Sequence, residues 1–189
     1  GLVKGIDSLY ENRVVPLKQI KTVSDNYAVN IVDLLHKFRA GTISQNDLLA
    51  AVQQSQNTAD KEWNTYLSTD LTSEEKSLVN TVEQKLKPVQ AHLKNLLNKI
   101  RNGDFQSLSQ QQFVTDLYDV FDPLSASYQA LIELQLNEAN HFKKQADENF
   151  ALVSLVMKLS VALLIFLLLA IAYFIYRSIQ NPLMALRDT

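Results

Sequence analysis

The chain has 189 residues, in which 18 Lys and Arg nearly balance 20 Asp and Glu to leave a net charge of −2. That balance gives no general attraction to nucleic acid or acidic surfaces, and the absence of cysteine removes disulfides, thiolate catalysis and thiolate metal sites. With a membrane-length apolar run near the end set aside, there is room for one soluble domain of roughly 150 residues and no second one.

The chain starts at Gly1 without an initiator Met or a signal-peptide pattern, so it reads as a fragment or processed form with residues before Gly1. From Ile6 an apolar seam advances in steps of three and four through Tyr10, Arg13, Leu17, Ile20, Ser24, Tyr27, Ile31, Leu34 and Phe38. This is heptad spacing and predicts a first helix. Ala40, Gly41 and Thr42 end it, because Gly takes the left-handed conformation of a helix terminus at little cost. A second helix is predicted from Ser44, with Asp47 at the positive end of its dipole, carrying Leu49, Val52, Ala59, Trp63 and Tyr66 inward.

Thr72 followed by Glu75 matches a capping box and announces a third helix with the seam Val79, Val82, Leu86, Val89, Leu93, Leu96 and Ile100. Asn102 and Gly103 close it. A fourth pattern then begins at Val114, Leu117, Phe121, Leu124, Tyr128 and Leu131, and no glycine interrupts it before the apolar run. Sustained period-two alternation is missing, so the fold class is all-α: an antiparallel up-down-up-down four-helix bundle whose fourth helix continues into a transmembrane helix.

Val161 to Tyr176 contains no charged residue. Counted from Leu159, it rises about 27 Å at roughly 1.5 Å per residue, close to the roughly 30 Å hydrocarbon core of a bilayer. Lys158 snorkels from the outer flank, while Tyr173, Phe174 and Tyr176 suit the aromatic belt of the other interface and Arg177 lies just past it. The domain boundaries that follow are a sensor over 1–150, a crossing over 151–177 and a linker over 178–189. In the linker, Ile179-Gln180-Asn181-Pro182-Leu183-Met184-Ala185-Leu186 resembles the opening of a HAMP signal-relay segment. The bare pattern is short, and an ordinary juxtamembrane turn also fits it.

Arg13-Val14-Val15-Pro16-Leu17-Lys18, the stretch Asp25-Asn26-Tyr27-Ala28-Val29-Asn30, Asp33, His36-Lys37, Trp63 and Tyr66 together resemble the ligand-binding region of bacterial methyl-accepting chemotaxis receptors of the four-helix-bundle class. The resemblance extends over nearly the whole chain. It implies a homodimeric sensor in the periplasm, anchored in the bacterial inner membrane, binding small molecules near the helix-one dimer interface. It also implies that the signal passes down helix four to a chemotaxis kinase and adaptor, engaged by a cytoplasmic part outside this sequence. Aspartate-sensing members use several arginines on helix one, whereas the distal half here has only Arg39, so aspartate specificity does not carry over.

A ligand site is expected about 20 Å below the helix-one turn by the 1.5 Å rise, where Pro88 and Pro123 would bend their helices and expose carbonyls. Asn26, Tyr27, Asn30, Ser125, Tyr128 and Gln129 are its candidate lining, with Lys37 as the cation and Lys21, Lys85 or Lys87 as alternatives. The expected ligand is a small organic acid, since a carboxylate pairs best with a charged donor. Packing and solvation account for the same residues without a ligand. Arg13 is expected to pair with Glu11 or Asp7, or to snorkel, and His36 with Asp33 one turn away reads as a surface pair. No nucleophile elbow, phosphate loop or HExxH pattern occurs, so no catalytic residue, metal or cofactor is predicted. The same sensor plan also serves histidine kinases and diguanylate cyclases. A membrane-anchored bundle that binds a protein partner is the alternative from another class.

Overall fold

A computed structural model describes Tyr10 and residues 14–187, with side chains to Ser178. The chain divides into two compact units, Gly1–Asn140 and His141–Thr189. All regular structure among the described residues is helical.

The first rod of the bundle is made of α1 (Val15–Asp25), a π-helical stretch Asn26–Ile31 and α2 (Val32–Arg39). Pro16 sits in the first turn of α1, where its missing N–H costs no ladder bond. At the far end Thr42 N–H reaches the Lys37 carbonyl (3.0 Å) and Gly41 N–H the Phe38 carbonyl (2.9 Å). These two bonds close the helix around Gly41, whose φ of 72° is left-handed. The second rod, α3 (Gln45–Leu67), starts on the Ser44 hydroxyl, which accepts from Asp47 N–H at 3.1 Å. The third, α4 (Ser73–Asn102), opens on the expected capping box: Glu75 N–H bonds the Thr72 hydroxyl at 3.2 Å, and Thr72 N–H bonds Glu75 Oε2 at 2.7 Å. Gly103 ends it at φ 81°. A 3₁₀ turn, Phe105–Ser107, then leads to α5 (Gln110–Arg187), helical through Pro123 as α4 is through Pro88.

The four apolar seams meet in one core. On the first rod the core-facing seam runs through Ile20, Val23, Tyr27, Ile31 and Leu35, with Pro16, Gln19, Asn26 and Val32 buried beside it, whereas the heptad reading places Ser24 and Leu34 on the seam. The π-helical stretch accounts for the shift at Leu34: its wider turn advances the buried face by steps of four from Tyr27 to Ile31 to Leu35. Tyr10 is exposed, and Ile6 and Arg13 lie outside the described residues. On α3 and α5, Leu48 and Phe113 are buried where Leu49 and Val114 are expected, and those neighbours sit half-buried beside them. The third seam is buried as read except for a half-buried Leu86.

Contacts at the two ends of the bundle set the antiparallel order. At the α2–α3 turn, Arg39 donates to the carbonyls of Phe105 (3.3 Å) and Leu108 (2.5 Å) and lies 5.6 Å from the Phe105 ring centre and 5.7 Å from that of Phe113. At the opposite end the buried Glu75 accepts from Tyr66 of α3 (3.3 Å) and from Gln135 of α5. One carboxylate thus caps α4 and ties it to both neighbours.

In the second unit the side chains from Phe150 to Tyr176 are exposed, Ser154 and Ala170 excepted as half-buried. This part of α5 is long and apolar enough to cross a membrane by length and composition. A continuous apolar surface of that extent calls for lipid or another apolar partner.

Candidate functional site

The π-helical stretch is where the first rod departs from regular geometry, and a groove of about 370 Å³ opens beside it against α3. Interruptions of this kind recur at functional sites because they re-aim side chains and loosen the local ladder. The first rod lines the groove with Asn26, Asn30, Asp33 and Leu34, and α3 with Ala51, Gln54, Ser55 and Thr58.

The polar groups of the first rod are partly committed. The Asn26 amide donates to the Thr22 carbonyl at 2.8 Å, and the Asn30 amide donates to Asn26 Oδ1 at 3.3 Å. Asp33 Oδ2 accepts from Lys37 Nζ at 2.6 Å, with each side chain 52% exposed. Water screens that pair, so its worth is no more than about 1 kcal/mol.

The structure separates the sequence-read site residues into four places. Asn26 and Asn30 line the groove. Lys37 stands on the solvent side of α2 in its ion pair with Asp33. Tyr27 and Tyr128 are in the core, 1% and 0% exposed, with phenolic oxygens that find no hydrogen-bond partner. Burial pushes both phenols up from their usual range; Gln90 opposes this at Tyr27, and Asp60 adds to it at both. Trp63 packs edge-on against Tyr128 with ring centres 5.7 Å apart. Ser125 is half-buried on α5, and Gln129 is exposed, donating to Glu133 at 3.4 Å. Neither reaches the groove, and neither do Pro88 and Pro123, which are exposed. Lys21 is paired with Asp25 at 3.0 Å, and Lys85 and Lys87 point to solvent.

His36 does not pair with Asp33. Its ring meets Phe113 edge-on at 5.2 Å, and its Nε2 lies 3.4 Å from the Tyr118 hydroxyl. The pairing expected for Arg13 lies outside the described residues. Sequence reasoning missed the α3 wall. Its signal was Ser55, a small polar residue on the buried seam between Val52 and Ala59, with Thr58 on the next turn. Among the described residues no group of three or more His, Asp or Glu is placed to hold a metal ion.

Residues 1–150 match the family described as the four helix bundle sensory module for signal transduction. The chain belongs to that family. The sensory module is also 30% identical over 190 residues to the methyl-accepting chemotaxis protein NahY of Pseudomonas putida, covering 98% of this chain and 34% of that protein. The chain therefore spans about a third of the length of this relative. No solved structure matches it. The resemblance to the sensor region of methyl-accepting chemotaxis receptors is thereby borne out, and with it the all-α bundle and apolar terminal helix.

Proposed function

We propose that this sensory module is the ligand-binding and membrane-crossing region of a chemotaxis receptor, with residues 1–150 in the periplasm, 151–177 across the inner membrane and 178–189 opening a HAMP-type relay. The observation that carries the reading is the sensory-module match over 1–150 in a chain whose last helix contains a membrane-length apolar stretch. The likeness to a methyl-accepting chemotaxis protein supports chemotaxis as the output.

The groove at the π-helical stretch is the ligand site in this reading, and a small polar molecule is its occupant. Such pockets combine a limited apolar floor with a few converging polar groups that fix orientation. Here Leu34 and Ala51 supply the floor, while Asn30, Asp33, Gln54, Ser55 and Thr58 supply the polar groups. The protein acts as a homodimer, and the signal reaches a kinase and adaptor through a cytoplasmic region. A ligand shifts signalling only to the extent that it binds one arrangement of the rods better than another. The local looseness of a π-helical stretch makes that segment a suitable place for two arrangements to differ.

The test is a thermal-shift screen of the purified chain in nanodiscs against organic acids, amino acids, amines and sugars, since a ligand that binds the native state raises its melting temperature. Hits are then measured in a fusion of this chain to a chemoreceptor cytoplasmic half. A ligand that shifts melting and changes swimming behaviour supports the reading. A full panel without a hit, together with capture of a periplasmic protein by the bundle, would favour a docking module.

A further inference from the structure

We propose that the groove between the first rod and α3 selects a small primary amine, whose ammonium is held by Asp33 in exchange for Lys37. This rests on the sensory reading above and names the chemistry of its ligand.

Charge decides the class first. Among the described residues Asp33 is the only ionisable side chain lining the groove, and no lysine or arginine lines it. A carboxylate entering there meets a like charge, and the cation one turn on, Lys37, is already held by Asp33 at 2.6 Å. The balance of donors and acceptors points the same way. Asn26 spends its amide on the Thr22 carbonyl and Asn30 spends an N–H on Asn26 Oδ1. Among the described residues the remaining oxygens of Asn30 and Asp33, and the hydroxyls of Ser55 and Thr58, carry no intramolecular bond. Gln54, Ser55 and Thr58 can each donate as well as accept, so it is the acceptor-only carboxylate of Asp33 that tips the groove toward a surplus of acceptors. An ammonium supplies three N–H donors and no acceptor, which matches that surplus.

Lys37 gives the site its competitor. It is the same chemical group as the ligand, tethered one turn away and exposed, so its contact with Asp33 is weak and exchangeable. An amine bound deeper in the groove keeps the carboxylate contact and adds hydrogen bonds to Asn30 and the α3 hydroxyls. Its stem packs on Leu34 and Ala51, an apolar floor sized for a short chain. One carboxylate suits one ammonium, so a monoamine fits better than a polyamine.

Isothermal titration of the full chain in nanodiscs with propylamine and ethanolamine, and in parallel with propionate, tests the assignment. The expected result is saturable binding of the amines and none of propionate. Asp33→Asn should weaken the amines about tenfold, the loss typical of a charge-assisted contact. Lys37→Ala should tighten them severalfold by removing the competitor. Thr58→Val serves as a fold-neutral second variant and should weaken amine binding without lowering the melting temperature. Propionate binding that weakens in Lys37→Ala would overturn the amine assignment and leave the sensory reading intact. Amine binding that is absent, or unchanged in Asp33→Asn, overturns it as well, and the metabolite screen then judges the sensory reading separately.

Discussion

Replacing Arg39 by Ala tests whether the far end of the bundle is held by one side chain. Its guanidinium makes two charge-assisted hydrogen bonds, to the carbonyls of Phe105 and Leu108, and lies against the rings of Phe105 and Phe113. Hydrogen bonds involving a charged group contribute about 1.5 to 3 kcal/mol each, and a partly exposed cation–π contact about 0.5 to 1 kcal/mol. Arg39 is only half-buried, and in the variant water can reach part of what it leaves. The expected loss is therefore below that sum, which begins at about 3.5 kcal/mol, and falls at about 2 to 3 kcal/mol. Arg39→Lys should recover less than half, because an ammonium cannot span two carbonyls three residues apart as a planar fork does. Trp63 is the only tryptophan and lies in the core, so its fluorescence follows bundle unfolding in urea. The Arg39→Ala midpoint should fall by roughly 1 to 2 M for a slope typical of small domains. A loss under about 0.5 kcal/mol, or full recovery with Lys, would show that ring packing alone closes that end.

Glu75→Ala removes the capping carboxylate and the bonds that Tyr66 and Gln135 donate to it, so it should cost about 3 kcal/mol in the same urea assay, against about 1 kcal/mol for Thr72→Ala. Tyr128→Phe removes a buried hydroxyl that has no partner, and should leave stability unchanged or raise it by up to about 1 kcal/mol. A loss of that size would mean that the phenol is bonded through water. Burial holds the His92 imidazole below its ordinary value of 6.5, with Asp116 opposing that shift. The unfolded chain then takes up a proton that the folded one resists, so this contribution is complete above that pH and is lost as pH falls through it. His92→Gln should flatten the acid side of a plot of unfolding midpoint against pH by that amount.

The order of the helices was legible because each boundary rests on local chemistry: Ser44 and the Thr72–Glu75 box start helices, and Gly41 and Gly103 end them. The seams were legible to within one residue, and the slips at Leu48 and Phe113 come from helices that bury two neighbouring apolar positions rather than one. The π-helical stretch left no such mark. Asn26–Ile31 reads as ordinary helix, and only packing decides that the ladder widens there and turns Leu35 inward in place of Leu34. That single shift also redistributes the site. It leaves Asn30 facing α3 while Tyr27 points into the core, so residues three apart in sequence end in different surroundings.

The ligand class proposed for the groove turns on the same point. Reading a cation from Lys37 treats a lysine near two asparagines as part of their site, but on a helix the residue one turn back is its nearest neighbour, and here that residue is Asp33. The lysine is ion-paired on the outer side of α2, and Asp33 lines the groove. Which of the two charges meets the ligand reverses the chemistry expected of it, from an acid to an amine. Lys37→Ala therefore discriminates more sharply than any variant of the groove itself. It weakens binding if the lysine is a ligand contact and strengthens it if the lysine is a competitor, so the sign alone separates the two.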